Sequence, residues 1–372
     1  MPFTENTFIR LAESAIDQAE EMQLFALKRL AALNRRIIND PTVSINVRAE
    51  AERMQRQIDA YIQRMTGWTD RELSEAYKRG IISADRQARG RTITSGFIPS
   101  QKLTPNFPGA PISDAARRVL SDFPDHFSVY GVFQQATIND FQQTRLPIIR
   151  QHTDRIREIA IMAGEAAYRD ADVFTRRQMS QSLMNQYAKE GMAGVRYADG
   201  RIMPIDSYSE MVARTQTGNA ARVANMNRLQ EYEIDLVAIS VHFPTSDLCE
   251  PFQGRVFSMS GTTEGYPALD EAIEAGLYHP NCKHTQSGFT PGVSELPDRD
   301  VSTGENRKQY DASQQQRYNE RQIRAWKRRE AASVESAEAD KAKAKVREWQ
   351  GRQREHLSEN QFLRRDYTRE QI

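Results

Sequence analysis

Two cysteines and three of the six histidines crowd into one short stretch of this 372-residue sequence: His242, Cys249, His279, Cys282 and His284. Thiolate and imidazole are the donors that zinc favours, and a structural zinc site takes four of them tetrahedrally. Cys249, His279, Cys282 and His284 make the candidate set, with His242 as an alternative ligand. The run HPNCKH, His279 to His284, is a proline turn that gathers its side chains to one spot. From outside such a set, Asp247 could fix a histidine tautomer. Two plainer readings compete with metal. The cysteines could be buried thiols while His279 and His284 shape a turn by hydrogen bonds. They could also pair as a disulfide, which a reducing cytosol disfavours. The residue three before Cys249 is Ser246, so the zinc pattern is one thiol short.

Catalytic readings of the same residues are weaker. A Cys282 thiolate activated by His279 or His284 needs a geometry that closeness in sequence does not supply. A metal-dependent nuclease would need acidic ligands; Asp247 and Glu250 are at hand, but no HNH-like spacing follows. A degenerate ADP-ribosyltransferase-like site would lean on Glu210 and Arg214, which fall on a predicted helix rather than in a cleft. The sequence has no GxxxxGK[ST] loop and no GxGxxG after a strand, so neither P-loop hydrolysis nor dinucleotide binding is supported.

The elements that must position this stretch are mostly helical. Apolar residues at Phe8, Leu11, Ala15, Ala19, Met22, Ala26, Leu30, Leu33 and Ile37 step by three and four, one stripe of a long helix. Asn39-Asp40-Pro41 ends it. A second helix is predicted from Val47 to Met65, broken at Gly67, with Thr69 and Glu72 as a capping box opening a third. Arg89 to Ala110, rich in Pro, Gly, Ser and Thr, reads as an exposed connection. Ser113-Asp114 caps the next helix. A further helical tract runs from about Phe127 to Lys189, kinked at Pro147. The turn Asp199-Gly200 sits between two short β-prone runs in Gly194 to Ile205. A helix from Tyr208 to about Tyr232 leads to the strongest strand signal, Asp235 to Phe243. A short helix, Leu269 to Ala275, ends at Gly276.

The fold class expected is therefore mainly α with a small α+β domain, having long N-terminal helices, short strands around 195–260 and a helical C-terminal tail. The domain partition is 1–98, an N-terminal helical region; 99–112, a linker; 113–190, a long helical segment; 191–300, the α+β domain with the Cys/His segment; and 301–372, a basic tail.

Composition sets the outer limits. Charged residues are 27% and the formal net charge is +1, so no global field draws the chain to nucleic acid. From Arg307 onward, 17 Lys+Arg face 11 Asp+Glu, a local excess of six. Arg324, Lys327, Arg328 and Arg329 are the candidate nucleic-acid contacts in that tail. Acidic residues interleaved at helical spacing favour internal pairing instead, in a solvated helix or one lying on a partner subunit. No run of about 18 apolar residues is present and the N-terminus does not read as a signal peptide, so a membrane role is not expected.

These stretches together resemble a known family. YSEMVARTQTGNA (Tyr208 to Ala220), DLVAIS, DLCEPFQGRVFSMSG, YPALDEAIEAGLYHPNCKH and FTPG are similar to the tailed-phage minor capsid protein 2 family, itself related to Mu-F-type head morphogenesis proteins. YDASQQQRYNERQIRAWKRRE, KAKAKVREWQGRQREH and the closing REQI are typical of its members in phages and prophages of Gram-positive bacteria. The resemblance covers roughly Gly191 to Ile372. It implies a structural, non-enzymatic virion component, made in the host cytoplasm and associated with the portal and the head interior. It would aid head assembly or DNA packaging and delivery. The implied partners are the portal protein and other head proteins, with packaged DNA reached through the tail; zinc is the one candidate cofactor. Related members often carry C-x-x-C at the strand exit, where this chain has Ser246 and Cys249, so His242 or His284 would supply the missing ligand.

Overall fold

A computed structural model describes residues 5–88, 112–296, 298 and 301–372. The apolar stripe folds as predicted: α1 (Glu5–Asn39) buries Leu11, Ala15, Ala19, Met22, Ala26, Leu30, Leu33 and Ile37. The next helix does not break at Gly67. α2 (Val47–Trp68) passes through a π-helical turn, Thr69–Leu73, straight into α3 (Ser74–Ala88). No capping box forms, because Trp68 is itself helical and no side chain caps the turn. A mid-helix glycine costs only about 1 kcal/mol, and the burial of Trp68, Leu73, Ala76 and Tyr77 outweighs it. Within the π turn the Thr69 carbonyl accepts from the Tyr130 hydroxyl at 2.7 Å.

The exposed connection read over Arg89 to Ala110, and the 99–112 linker up to residue 111, lie outside the described residues. α4 (Asp114–Val119) is capped as expected, the Ser113 side chain accepting from the Ala116 N–H. The tract after it is four helices: α5 (Phe127–Gln142), α6 (Arg145–Gly164), α7 (Ala166–Arg169) and α8 (Val173–Glu190). Pro147 does not kink it. It sits in the first turn of α6, where a missing N–H costs nothing.

Strands β1 (Ala193–Arg196) and β2 (Ile202–Pro204) form the antiparallel hairpin signalled by Asp199-Gly200. α9 (Ile205–Glu231) then feeds β3 (Leu236–Ile239). β3 is the middle of a three-stranded antiparallel sheet, with β4 (Val256–Ser258) and β5 (Gln286–Gly288) on its flanks. It is shorter than its β-branched run: Ser240 keeps one more backbone bond to Thr285, and the chain then turns away into Phe243-Pro244. Between β4 and β5 lies α10 (Leu269–Glu274), closed by Gly276 at φ 117°, a conformation that favours glycine. α11 (Thr303–Ala332) and α12 (Ser336–Glu359) follow, and a short 3-10 turn, Thr368–Glu370, comes after them; the chain is mainly α with a small β part.

The chain forms two compact units, each collecting stretches from the beginning, middle and end of the sequence. One comprises Met1–Ala15, Thr66–Asp140 and Glu210–Asp311. Its core packs Ala84, Met226 and Leu229 against Val237, Ile239, Phe257 and Leu269. The other comprises Ile16–Met65, Phe141–Ser209 and Ala312–Ile372, with Leu27, Leu30, Ile156, Met184, Tyr187 and Ala332 at its centre.

Within that second unit the basic tail is not a free arm. α11 and α12 pack antiparallel: Asn319 Nδ2 donates to Gln353 Oε1 at 3.0 Å, and His356 lies 2.8 Å from the Ala312 carbonyl. Arg35 donates to the Ser333 carbonyl, and Gln181 Oε1 accepts from the Val334 N–H. The tail therefore belongs to a folded core of its own chain.

Candidate metal centre

The Cys/His segment lies wholly within the first unit. Two tight turns build it. In the first, just past β3, the N–H groups of Cys249 and Glu250 both donate to the Ser246 carbonyl at 3.0 Å. In the second, the Cys282 N–H donates to the His279 carbonyl at 2.8 Å, and Asn281 supplies the left-handed residue, φ 65°. Asparagine tolerates that conformation better than most residues. The Asn281 N–H is anchored to Thr215 Oγ1 at 3.1 Å, tying the turn to α9.

These turns bring Cys249, His279 and Cys282 together, one ligand atom from each lying within 4.8 Å of the others. The two sulfurs are 3.4 Å apart. That is far beyond a disulfide bond of about 2.0 Å. It is close to the roughly 3.8 Å edge of a tetrahedron with metal–sulfur bonds near 2.3 Å. His279 Nδ1 is 2.8 Å from the Pro280 carbonyl, which can only accept, so Nδ1 carries the proton. Nε2 keeps its lone pair, in hydrogen-bond contact with Ser246 Oγ at 2.8 Å. A backbone carbonyl fixing the tautomer through the outer nitrogen is the arrangement found behind most metal-bound histidines.

Burial and charge prepare the sulfurs. Both cysteines are buried and share a proton: the Cys249 hydrogen bond holds Cys282 well below the usual thiol range, helped by His284 and Arg222, and the same contact pushes Cys249 up. Arg222 is buried on α9 and stacks over Tyr278 at 4.5 Å; it donates to the His284 carbonyl at 3.0 Å. The donor set, two thiols and one imidazole gathered around one point, fits zinc.

A profile of the family described as phage minor capsid protein 2 matches residues 132–358, more than half of the chain. The chain belongs to this family. It is similar to a structural protein of Lactococcus phage LL-H, 28% identical over 182 residues, 46% of this chain and 49% of that protein. It is also similar to a structural protein of Lactococcus phage mv4, 34% identical over 113 residues, 29% of this chain and 92% of that protein. The chain thus spans about half the length of the LL-H relative. No solved structure matches it. The minor capsid protein 2 match includes α9, the sheet and the Cys/His segment, so this chain is a phage structural protein and the candidate centre lies inside the family's region.

Not every residue picked from this minor capsid sequence lands in the centre. His284 is buried, 1% exposed, behind the pair, with Nδ1 3.4 Å from Cys282 Sγ and Nε2 3.2 Å from Gln253 Oε1. His242 stacks on it, ring centroids 4.2 Å apart. Both form an outer layer. Asp247 does not orient a histidine; it is exposed and ion-pairs with Arg307. Glu210 and Arg214 pair with each other along α9 at 2.7 Å. Arg222 escaped the sequence reading, although one arginine inside the small-residue run GNAARVAN was its signal.

Of the four tail residues read as nucleic-acid contacts, Arg324 and Arg328 are 7% and 8% exposed. They face the Asp206 carboxylate at 3.7 and 3.5 Å, so they serve the fold rather than a surface. Lys327 and Arg329 are half-exposed, and Arg329 lies over the Trp326 ring at 4.4 Å. The lysines of α12 pair along their own helix: Lys341 with Glu338, Lys343 with Asp340 and Lys345 with Glu348. Among the described residues no helix is long and apolar enough to cross a membrane.

Proposed function

We propose that this protein is a minor capsid and head morphogenesis component that docks on the portal and the inner face of the head, aiding assembly or DNA packaging and delivery. Its partners are then the portal protein and other head proteins, it is made in the host cytoplasm, and it turns over no substrate. The observation that carries the reading is the family match over residues 132–358, which spans the sheet, the Cys/His turns and most of the tail. In support, two of the groups that enzymatic readings call on sit in ion pairs, Asp247 with Arg307 and Glu210 with Arg214. Co-expression with the portal protein of the same phage tests it. Co-purification of the two through size exclusion is expected; separate elution in the presence of assembled portal would count against it.

In this reading zinc braces the first unit, held by Cys249, Cys282 and His279. When bound it supplies cross-linking of two turns whose backbones share no strand pairing. Cys249 follows β3 and Cys282 precedes β5, so the brace closes the end of the sheet. Purified protein should contain stoichiometric zinc and lose melting temperature on chelation, and Cys282→Ser should abolish both. A melting temperature indifferent to chelator and to Cys282→Ser would remove the brace. Of the four candidate DNA contacts, Lys327 and Arg329 are the two not buried, and charge reversal at both should weaken salt-sensitive DNA retention; unchanged retention would exclude contact through them.

A further inference from the structure

The two turns are built alike, each presenting its first and fourth side chains to one place. Four side chains therefore meet: Ser246 and Cys249 from one turn, His279 and Cys282 from the other. Ser246 Oγ is 2.8 Å from His279 Nε2, so the hydroxyl points into the cluster. It stands at the corner where a fourth ligand belongs. A neutral hydroxyl is not among the donors that close structural zinc sites, which are thiolate, imidazole and carboxylate. His284 does not replace it, since Cys282 and Gln253 engage its two nitrogens on the buried side. Cys249 and Cys282 are buried, while Ser246 and His279 are half-exposed, so the fourth corner is the one nearest solvent.

We propose that the metal centre of this chain has three protein ligands, Cys249, His279 and Cys282, and an exchangeable fourth position beside Ser246. Water fills that position in the isolated protein, and small anions compete for it. The proposal rests on the reading of the cluster as a metal site. It gives this chain a coordinatively open centre, in which Ser246 orients the exchanging ligand by hydrogen bonding instead of binding the metal.

Cobalt(II) loading of the full chain tests it, with zinc competition as a second readout and azide as the probe ligand. In the wild-type protein the ligand-field bands should report two thiolates and shift on adding azide. Ser246→Cys should raise the sulfur-to-metal charge-transfer intensity to that of three thiolates and abolish the azide response. It should also tighten zinc by at least the roughly tenfold that outer-shell partners alone confer. Ser246→Ala, which leaves the three ligands in place, should keep the two-thiolate bands and guards against a folding defect in the cysteine variant. Wild-type bands that ignore azide would overturn the open position while leaving the metal site standing, and a change on His284→Gln would then name the residue that closes it. Metal taken up by Ser246→Cys but not by the wild type would overturn the proposal as well. No metal in either protein would overturn the metal reading on which it rests.

Discussion

His279 shows what residue types alone reveal and what they leave open. Of the four candidate ligands picked from the stretch crowded with thiols and imidazoles, Cys249, His279 and Cys282 converge. Which imidazole joins the sulfurs depends on turn geometry: His279 opens the turn in which Asn281 takes positive φ, while His284, two residues past Cys282 and two before β5, is buried against Gln253. Spacing does not encode that difference. Asp247, exposed and paired with Arg307, is predicted to be irrelevant to the metal: Asp247→Ala should leave zinc affinity within a factor of about two in a chelator competition, well short of the tenfold an outer-shell partner would give. A second histidine carries a pH dependence. His152 is 1% exposed, and neither ring nitrogen has a hydrogen-bond partner among the described residues. Burial, with Arg155 nearby, lowers its pKa to about 4. The unfolded value is about 6.5. Between these values the unfolded chain binds a proton that the folded chain refuses, so stability falls as pH drops from about 6.5 to about 4, by about 3 kcal/mol at the lower end. Denaturant melts of wild type and His152→Leu at pH 7 and pH 4.5 should show a smaller acid loss in the variant.

Helix α1 was readable because its buried apolar residues keep one helical period from Leu11 to Ile37, and the hairpin at Asp199-Gly200 because turn chemistry is local. The π turn at Thr69–Leu73 was not readable, since it answers to Tyr130, 61 residues away. Gly80 is a similar long-range constraint. A Cβ there would stand 2.2 Å from the Ala221 carbonyl oxygen, so α3 and α9 meet at a point that admits no side chain. Gly80→Ala should therefore cost about 1–3 kcal/mol. Gly164→Ala, at the open end of α6 with nothing within 4 Å, should be neutral or slightly stabilising. Thermal melts of the two variants compare the sites directly. The pairing of α11 with the start of α9 makes another prediction. Asp206 is the carboxylate facing Arg324 and Arg328, and Asp206→Asn leaves two buried guanidinium groups short of their counter-charge. A loss of about 3 kcal/mol is expected, whereas Lys327→Ala should stay within about 0.5 kcal/mol. Equal effects would contradict the inward placement of the two arginines.

The charge count of the C-terminal stretch put Arg324 and Arg328 among the candidate nucleic-acid contacts, because composition reports net sign and not which side of a helix is buried. Ala332 lies in the same core as Leu27, Leu30 and Ile156, and Gln353 and Val346 are buried on α12. Removing residues 312–372 should expose that core, with loss of melting amplitude and gain of dye binding to exposed apolar surface; a truncated chain that keeps the full wild-type amplitude and binds no dye would refute it. Membership of the minor capsid family makes a claim about the particle, and particles decide it. Mass spectrometry of purified phage heads, separated from lysate by density and washed with salt, should find this protein at a small fraction of the major capsid protein and retained through the washes. Its absence from heads, while abundant in the same lysate, would contradict the account.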